Sequence, residues 1–225
     1  MSEGFRIRGR WERVEPEIVE AYRAIPVAAV SDSMHRLNGL GTPLVRMHRE
    51  GQLCGPALPV KTRPGDNLML HKAIEMAEPG DVIVCDAGGD VTNSLMGEMM
   101  LVHAHKRDVG GFVIDGAIRD RDAFTRVNLP VYARGVAHRG PYRDGPGEIG
   151  FAIAIGGMPV EAGDLIVGDA DGLVVVPRAA VYGVLDRARA KVMAEEKQLQ
   201  TIMAGKFDRS WIDETLSRRG CAFID

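Results

Sequence analysis

The sequence predicts an α/β fold in which a part built of parallel crossover units is followed by a β-rich second half. Three observations point there. Short apolar runs at 81–87 (DVIVCDA), 110–115 (GGFVID) and 130–135 (PVYARG) are bounded by Gly, Pro and Asp and separated by helix-like stretches, the order that parallel crossover connections produce. After a Gly/Pro-rich excursion at 138–148 (HRGPYRDGPGE), the stretches IGFAIAIGG, MPVEAGD and DLIVGDADGLVVVP read as short strands broken by Gly-Asp turns, as in a β-ribbon or barrel-like arrangement. With 225 residues and 45% hydrophobic content, the chain can bury one large core without disulfides or a structural metal, so residues 1–225 are expected to form a single domain.

Each element follows from its local pattern. PEIVEAYRA at 16–24 has helical spacing, and a second helix is expected over 31–38 (SDSMHRLN), where Ser31 and Asp32 can cap it. LCGPALPVKT at 53–62 is β-like, RPGDN at 63–67 turns, and LMLHKAIEMA at 68–77 is helical until PGD at 79–81 ends it. GGD at 88–90 with Thr92-Asn93-Ser94 reads as a loop. The helix after it starts at Ser94 or at Gly97, either of which can serve as an N-cap, and ends near Lys106 and Arg107, whose charge suits a helix C-terminus. RDAFTRV is a short helix. A final helix runs from about Arg178 to Ala204, with charges through its second half (Arg187, Arg189, Lys191, Glu195, Glu196, Lys197). A helix so long and polar suits packing against a neighbouring subunit.

Composition narrows the function. The formal net charge is −3, from 28 Lys+Arg against 31 Asp+Glu, and no basic stretch is interleaved with aromatics as nucleic-acid binding needs, so a small-molecule partner is expected. Cys54, Cys85 and Cys221 form neither a CxxC pair nor a disulfide framework, which fits a reducing cytoplasm. MSEGFRIRGRWERVEPE lacks the apolar core of a signal peptide and no apolar run is long enough to span a bilayer, so a soluble, unexported protein with no membrane partner is expected.

Most chemical motifs are missing. His103 and His105 lie two apart, about 200° around a helix, and cannot chelate one metal as an i, i+4 pair does. Neither GPYRDGPG nor GGD is a phosphate-binding loop, and no GxSxG elbow is present. Lys61 at a strand end would form a Schiff base only if burial lowered its pKa; otherwise it is a solvated lysine. One group remains. GAIRDRD at 116–122 passes from a buried strand into four charges, and Arg119 and Asp120, being consecutive, do not share a helix face. If the preceding helix starts at Gly97, the free N–H groups of Glu98, Met99 and Met100 form an anion site at its positive end; the Met99 and Met100 side chains are then core filler. Glu98 precedes that helix and Arg119-Asp120 follow the next strand, so both open at the carboxyl ends of parallel strands, where ligands of open α/β sheets collect. An Arg, helix amides and two acidic groups together suit a metal-chelating oxo acid.

Glu98, twenty intervening residues and then Arg119-Asp120, set within GGFVIDGAIRD and followed by a Gly-Asp-rich second half, resemble the 4-hydroxy-4-methyl-2-oxoglutarate aldolase group of the RraA-like family over roughly residues 20–205. The resemblance implies a swivelling β/β/α sandwich of the phosphohistidine-domain type, assembly as a homotrimer or hexamer, and use of Mg²⁺ or Mn²⁺ to cleave 4-hydroxy-2-oxo diacids to pyruvate. Carried over by position, Asp120 would ligate the metal directly, Arg119 would bind the substrate's oxygens, the amides over Gly97 to Met100 would hold the pyruvyl carboxylate, and Glu98 would act through metal-bound water. In some members the acidic position is Asp; Glu98 keeps the charge and adds a methylene. The resemblance also implies an acidic group borrowed from the adjacent subunit, for which Glu195 or Glu196 is the candidate.

The expected function is therefore that of a class II, metal-dependent pyruvate aldolase with oxaloacetate decarboxylation as a side activity. The same family holds non-catalytic regulators of RNA degradation that lack the metal-binding Asp, and Asp120 favours the enzyme. A menaquinone-pathway methyltransferase would need an S-adenosylmethionine loop that the sequence lacks.

Overall fold

The computed structural model describes residues 3–41, 43–222 and 224. In chain order the elements are β1 (Phe5–Ile7), α1 (Pro16–Arg23), α2 (Val27–Asp32), β2 (Val45–Arg46), β3 (Leu53–Thr62), α3 (Leu68–Met76), β4 (Val82–Asp86), β5 (Ser94–Met96), α4 (Glu98–Lys106), β6 (Gly111–Ile118), α5 (Arg121–Val127), β7 (Val131–Val136), β8 (Gly147–Ile149), β9 (Ile153–Ile155), β10 (Met158–Val160), β11 (Leu165–Asp169), β12 (Gly172–Val176), α6 (Val181–Met203) and α7 (Ser210–Arg218). The chain divides into two compact units, Met1–Ala188 and Arg189–Asp225. Among the described residues, no helix is long and apolar enough to cross a membrane.

The first unit is a mixed α/β structure on one large mixed sheet. Its path is β1-β8-β3-β4-β6-β7-β2, with β5 added to β6 and the β11–β12 hairpin added to β3. Strands β3, β4, β6 and β7 run parallel, in keeping with the crossover reading. The second half enters the same sheet antiparallel, β11 on β3 and β12 on β11. Apolar runs on β4 and β6 are continuous because both faces are covered: Ile83, Cys85, Phe112 and Ile114 pack into the cluster beneath α3, α4 and α5, while Val82, Val84 and Val113 pack into the opposite one with Ile153, Ile155 and Val175. Close approach at the amino end of β4 needs glycine, since a Cβ on Gly55 or Gly110 would lie 2.2 or 2.3 Å from the Gly80 carbonyl oxygen.

Several expectations change. The helix expected over 31–38 is α2, which ends at Asp32; Pro26 starts it, Val27, Ala29 and Val30 are buried, and Ser33 bonds back to the Ala29 carbonyl (2.8 Å). His35 and Arg36 then adopt left-handed φ of 58° and 63°, so Ser31 and Asp32 close a helix rather than open one. Ser94, read as loop, begins β5, and β1, β2 and α7 were not expected. The last helix follows the reading closely, with a 3-10 turn at Arg178–Ala180 before α6.

His48, only 4% exposed, ties the turn before β3 to β7. The Val131 N–H donates to Nδ1 (3.1 Å), which leaves Nε2 to donate to the Gly51 carbonyl (3.2 Å). Burial, more than any other cause, holds this imidazole below its ordinary value of 6.5. Its contribution to stability is therefore complete above pH 6.5 and is lost as pH falls toward the folded-state pKa, because the unfolded chain then binds the proton first. Imidazole NMR titration should give His48 a pKa below 6.5, and a value at or above it would contradict this account.

Candidate active site

The carboxyl ends of β5 and β6 meet at the residues singled out by the sequence. β5 runs parallel beside β6, and the Arg119 N–H bonds the Met96 carbonyl (2.9 Å), so the strand exits stay together. Gly97 is the N-cap of α4, settling the start left open between it and Ser94. Asp120, in left-handed backbone (φ 57°, ψ 44°), is the residue before α5 and turns its carboxylate back toward α4, where Oδ2 accepts the Glu98 N–H at 2.9 Å. One of the three amides expected to hold a ligand is thus occupied by Asp120. The Met99 and Met100 N–H groups have no protein acceptor among the described residues and remain available at the positive end of the helix. The Arg119 Nε stands 3.7 Å from the same Oδ2.

Gly97 is needed for space rather than for backbone freedom. Its φ of −136° suits any residue, but a Cβ there would lie 2.5 Å from Asp120 Oδ2 and 3.0 Å from Arg119 Nε. Both charged side chains are folded over the helix start.

A cleft of about 110 Å³ opens here, lined by Gly97, Met99, Met100, Arg119 and Asp120 and closed by residues the sequence reading passed over: Asn67, His71, Ser94, Pro141 and Arg143. Asn67 and His71 come from the start of α3, read only as turn and helix. Pro141 and Arg143 come from the Gly/Pro-rich excursion, which is firmly pinned. Fully buried Asp66 accepts the N–H groups of Asp144 (2.7 Å) and Gly145 (2.9 Å) on Oδ2, and Ser94 donates from both N–H and Oγ to the Arg139 carbonyl. The available signal was position, since both loops adjoin a strand exit. Burial, then the nearby Arg143 and His103, hold the His71 imidazole below its ordinary range, so it is neutral at pH 7. Two Arg and one Asp leave the cleft net positive, which favours an anionic ligand.

Other candidates fall outside it. Glu98 points to Arg126 of α5, with which it forms an ion pair, and borders a second, shallower depression shared with Asp120, Arg121, Asp122 and Arg126. Met99 is 85% exposed and not core filler; Met100 is buried as expected. Lys61 is largely solvated beside Asp86 (4.0 Å), and His103 and His105 are exposed. Glu195 and Glu196 lie on α6 in the second unit, Glu195 paired with Lys191 at 2.9 Å. Among the described residues no three His, Cys, Asp or Glu side chains form a ready-made metal cage. Asp120 Oδ1 nevertheless has no protein partner there, and a lone carboxylate oxygen beside open space fits Mg²⁺ or Mn²⁺, which take one or two carboxylates and fill their remaining positions with water and ligand oxygens.

Residues 27–175 match the family model RraA-like, described as Aldolase/RraA. The chain belongs to this family. It is 38% identical over 190 residues, 84% of this chain and 90% of the relative, to a Halalkalibacterium halodurans protein with the provisional name 4-hydroxy-4-methyl-2-oxoglutarate aldolase. A relative from Aromatoleum aromaticum carrying the same provisional name is 30% identical over 135 residues, 60% of this chain and 84% of that one. An uncharacterized protein from Pseudomonas syringae superposes with a TM-score of 0.78 at 26% identity, covering 87% of this chain and 96% of its own. A Streptomyces coelicolor protein described as an unusual member of the RNase ES inhibitor RraA family gives 0.76 at 27% identity over 83% and 98%. The RraA-like chain is thus mixed α/β with a large mixed sheet, like these structures, and its named relatives support a lyase of the aldolase type.

Gly97→Ala should displace the Asp120 carboxylate from the Glu98 amide and cost about 1 kcal/mol, as loss of an N-cap does. The melting temperature reads this out, and an unchanged value would mean that the carboxylate moves aside without loss.

Proposed function

We propose that this RraA-like chain is a divalent-metal-dependent pyruvate aldolase that cleaves 4-hydroxy-2-oxo acids such as 4-hydroxy-4-methyl-2-oxoglutarate, with oxaloacetate decarboxylation as a side activity. The observation that carries the reading is the convergence of Arg119, Asp120 and two open α4 amides on one small, positively charged cleft. The provisional aldolase names of the relatives support it. The swivelling β/β/α description and a cytoplasmic location belong to the same reading.

In this reading the Met99 and Met100 amides at the α4 N-terminus bind the pyruvyl carboxylate, and Arg119 directs its guanidinium at the C2 oxygen. Asp120 would hold Mg²⁺ or Mn²⁺, which when bound supplies Lewis-acid polarisation of the 2-oxo group, worth several kcal/mol. As the C3–C4 bond breaks, the C4 hydroxyl passes its proton to water in the open cleft and becomes a carbonyl, while the bonding pair passes into the enolate of pyruvate, which then takes a proton from water at C3. Arg119 lies where that enolate oxygen gathers charge, and a fixed donor so placed contributes about 3 kcal/mol. Oxaloacetate loses CO₂ to the same enolate, which is why one cleft serves both reactions. Asp120 already caps α4, so its carboxylate is oriented before any ligand arrives. Glu98, held by Arg126, stays close enough to share the depression that borders Asp120, and we assign it a supporting role there.

The working form is proposed to be a homotrimer or hexamer in which Glu195 or Glu196 of the partner subunit completes the site. Exposed Met193, Leu199, Ile202 and Met203 on α6 support an assembly. Neither a Schiff base on solvated Lys61 nor a non-catalytic, protein-binding role draws support from the cleft.

Pyruvate release from 4-hydroxy-4-methyl-2-oxoglutarate and from oxaloacetate, assayed with Mg²⁺ and with EDTA, tests the proposal. Asp120→Asn should remain folded and lose most metal-dependent turnover. Wild-type turnover of this variant at limiting Mg²⁺ would remove Asp120 from the metal site, and absence of pyruvate from both substrates with the unaltered protein would end the aldolase reading.

The two arginines of GAIRDRD should separate. Arg119→Lys loses a planar forked donor facing the cleft, and kcat/KM should fall at least about tenfold, roughly 1.4 kcal/mol. Arg121, which borders the outer depression and reaches Met47 Sδ at 3.5 Å, should tolerate Lys within about 0.5 kcal/mol. Equal effects at the two positions would misplace the site.

A further inference from the structure

We propose that Asn67 is a specificity-determining residue whose side-chain oxygen accepts a hydrogen bond from the C4 hydroxyl of the substrate, so that the cleft distinguishes 4-hydroxy-2-oxo acids from 2-oxo acids without that hydroxyl. The inference rests on the aldolase reading above.

Asn67 stands at the start of α3, is 2% exposed, and lines the cleft with Gly97, Arg119 and Asp120. Its placement is fixed. The backbone N–H bonds the Tyr142 carbonyl (3.0 Å), the carbonyl accepts the His71 N–H (3.0 Å), and Nδ2 donates to the Leu95 carbonyl (2.8 Å) with Met100 Sδ at 3.3 Å. Oδ1 has no donor among the described residues. Turning the amide over does not help, because it would set oxygen against the Leu95 carbonyl oxygen. Among the described residues two other buried side-chain atoms lack partners, Trp11 Nε1 and Gln52 Oε1, and neither residue borders the cleft.

A buried acceptor left without a donor costs about 1–3 kcal/mol, and such groups in folded proteins are nearly always satisfied. Asn67 lines the cleft, so a group that enters it can supply that donor. At neutral pH the carboxylates and the oxo group of a 2-oxo diacid are acceptors only, so the C4 hydroxyl is the group that can supply the hydrogen. An ammonium donor is disfavoured by Arg119 and Arg143 in the same wall. Oδ1 is covered; Met99 and Met100, which also line the cleft, have unbranched, adaptable side chains. An amide oxygen is no base. Asn67 recognises the hydroxyl in the bound substrate; because a hydroxyl carries one hydrogen, that hydrogen turns from Oδ1 to a water molecule in the cleft, which takes the proton as the C3–C4 bond breaks.

The test is competition with CO₂ release from oxaloacetate, measured with Mg²⁺ for 4-hydroxy-2-oxoglutarate and for 2-oxoglutarate, in the unaltered protein and in Asn67→Leu. The binding preference for the hydroxy acid should fall at least about fivefold in the variant, since a site built to bond a hydroxyl loses that preference when its partner is removed. A smaller fall overturns the assignment. Because Asn67 also bonds the Leu95 carbonyl and the variant can fail to fold, a second measurement uses the unaltered protein alone. As competitors of oxaloacetate turnover, 4-hydroxy-2-oxoglutarate should bind at least about fivefold more tightly than 2-oxoglutarate, and equal competition overturns the proposal. Absence of pyruvate from both 4-hydroxy-4-methyl-2-oxoglutarate and oxaloacetate in the unaltered protein would instead defeat the aldolase reading itself.

Discussion

The hydrogen bond from the Glu98 amide to the Asp120 carboxylate is the contact on which the site is built. It joins the start of one crossover helix to the end of the following strand. A charged acceptor at a helix N-terminus gains both from the unpaired amide and from the helix dipole. The same contact settles three neighbours at once. It requires a residue without a side chain at position 97, it places Arg119 beside the helix start, and it leaves the next two amides directed at the cleft. The negative charge already present at this helix end also means that a second anion is held there only with help from cations, which Arg119 and Arg143 supply in part.

The remaining wall is furnished by a loop whose composition suggests mobility. Gly140, Pro141, Gly145 and Pro146 punctuate it, yet Asp66 grips it from beneath and Ser94 and Asn93 hold its other end through the Arg139 and Gly140 carbonyls. These anchors are backbone groups of the loop. They hold its path through the main chain, with Arg63 adding contacts to the Asp144 carboxylate and the Tyr142 ring, and Arg143 faces the cleft.

The parallel strands and their crossover helices could be read from the chain because each rests on local pattern: buried runs of five to eight residues bounded by Gly, Pro and Asp, as in β4 and β6. Gly97 to Met100 and Arg119-Asp120 were legible for the same reason, lying where strands end. What could not be read depends on partners distant in sequence. Ser31 and Asp32 are as suitable for starting a helix as any caps, and only burial of Val27 and Val30 assigns them to its end. The three-residue β5 is a strand because β6 lies beside it. Asn67 sits in a turn signal, RPGDN, and its importance comes from the Leu95 carbonyl 28 residues away. Glu98 was correctly placed at the helix start, but its partner Arg126 lies on the next helix.

Asp120 sits in left-handed backbone, a region that costs an L-residue with a side chain on the order of 1–2 kcal/mol and that glycine enters freely. For the polypeptide alone, glycine would be the more comfortable occupant. The carboxylate that caps α4 outweighs that discomfort only in part, so the position carries a stability debt tied to what the side chain does. Selection for thermal robustness alone and selection for the chemistry would therefore pull this one residue in opposite directions.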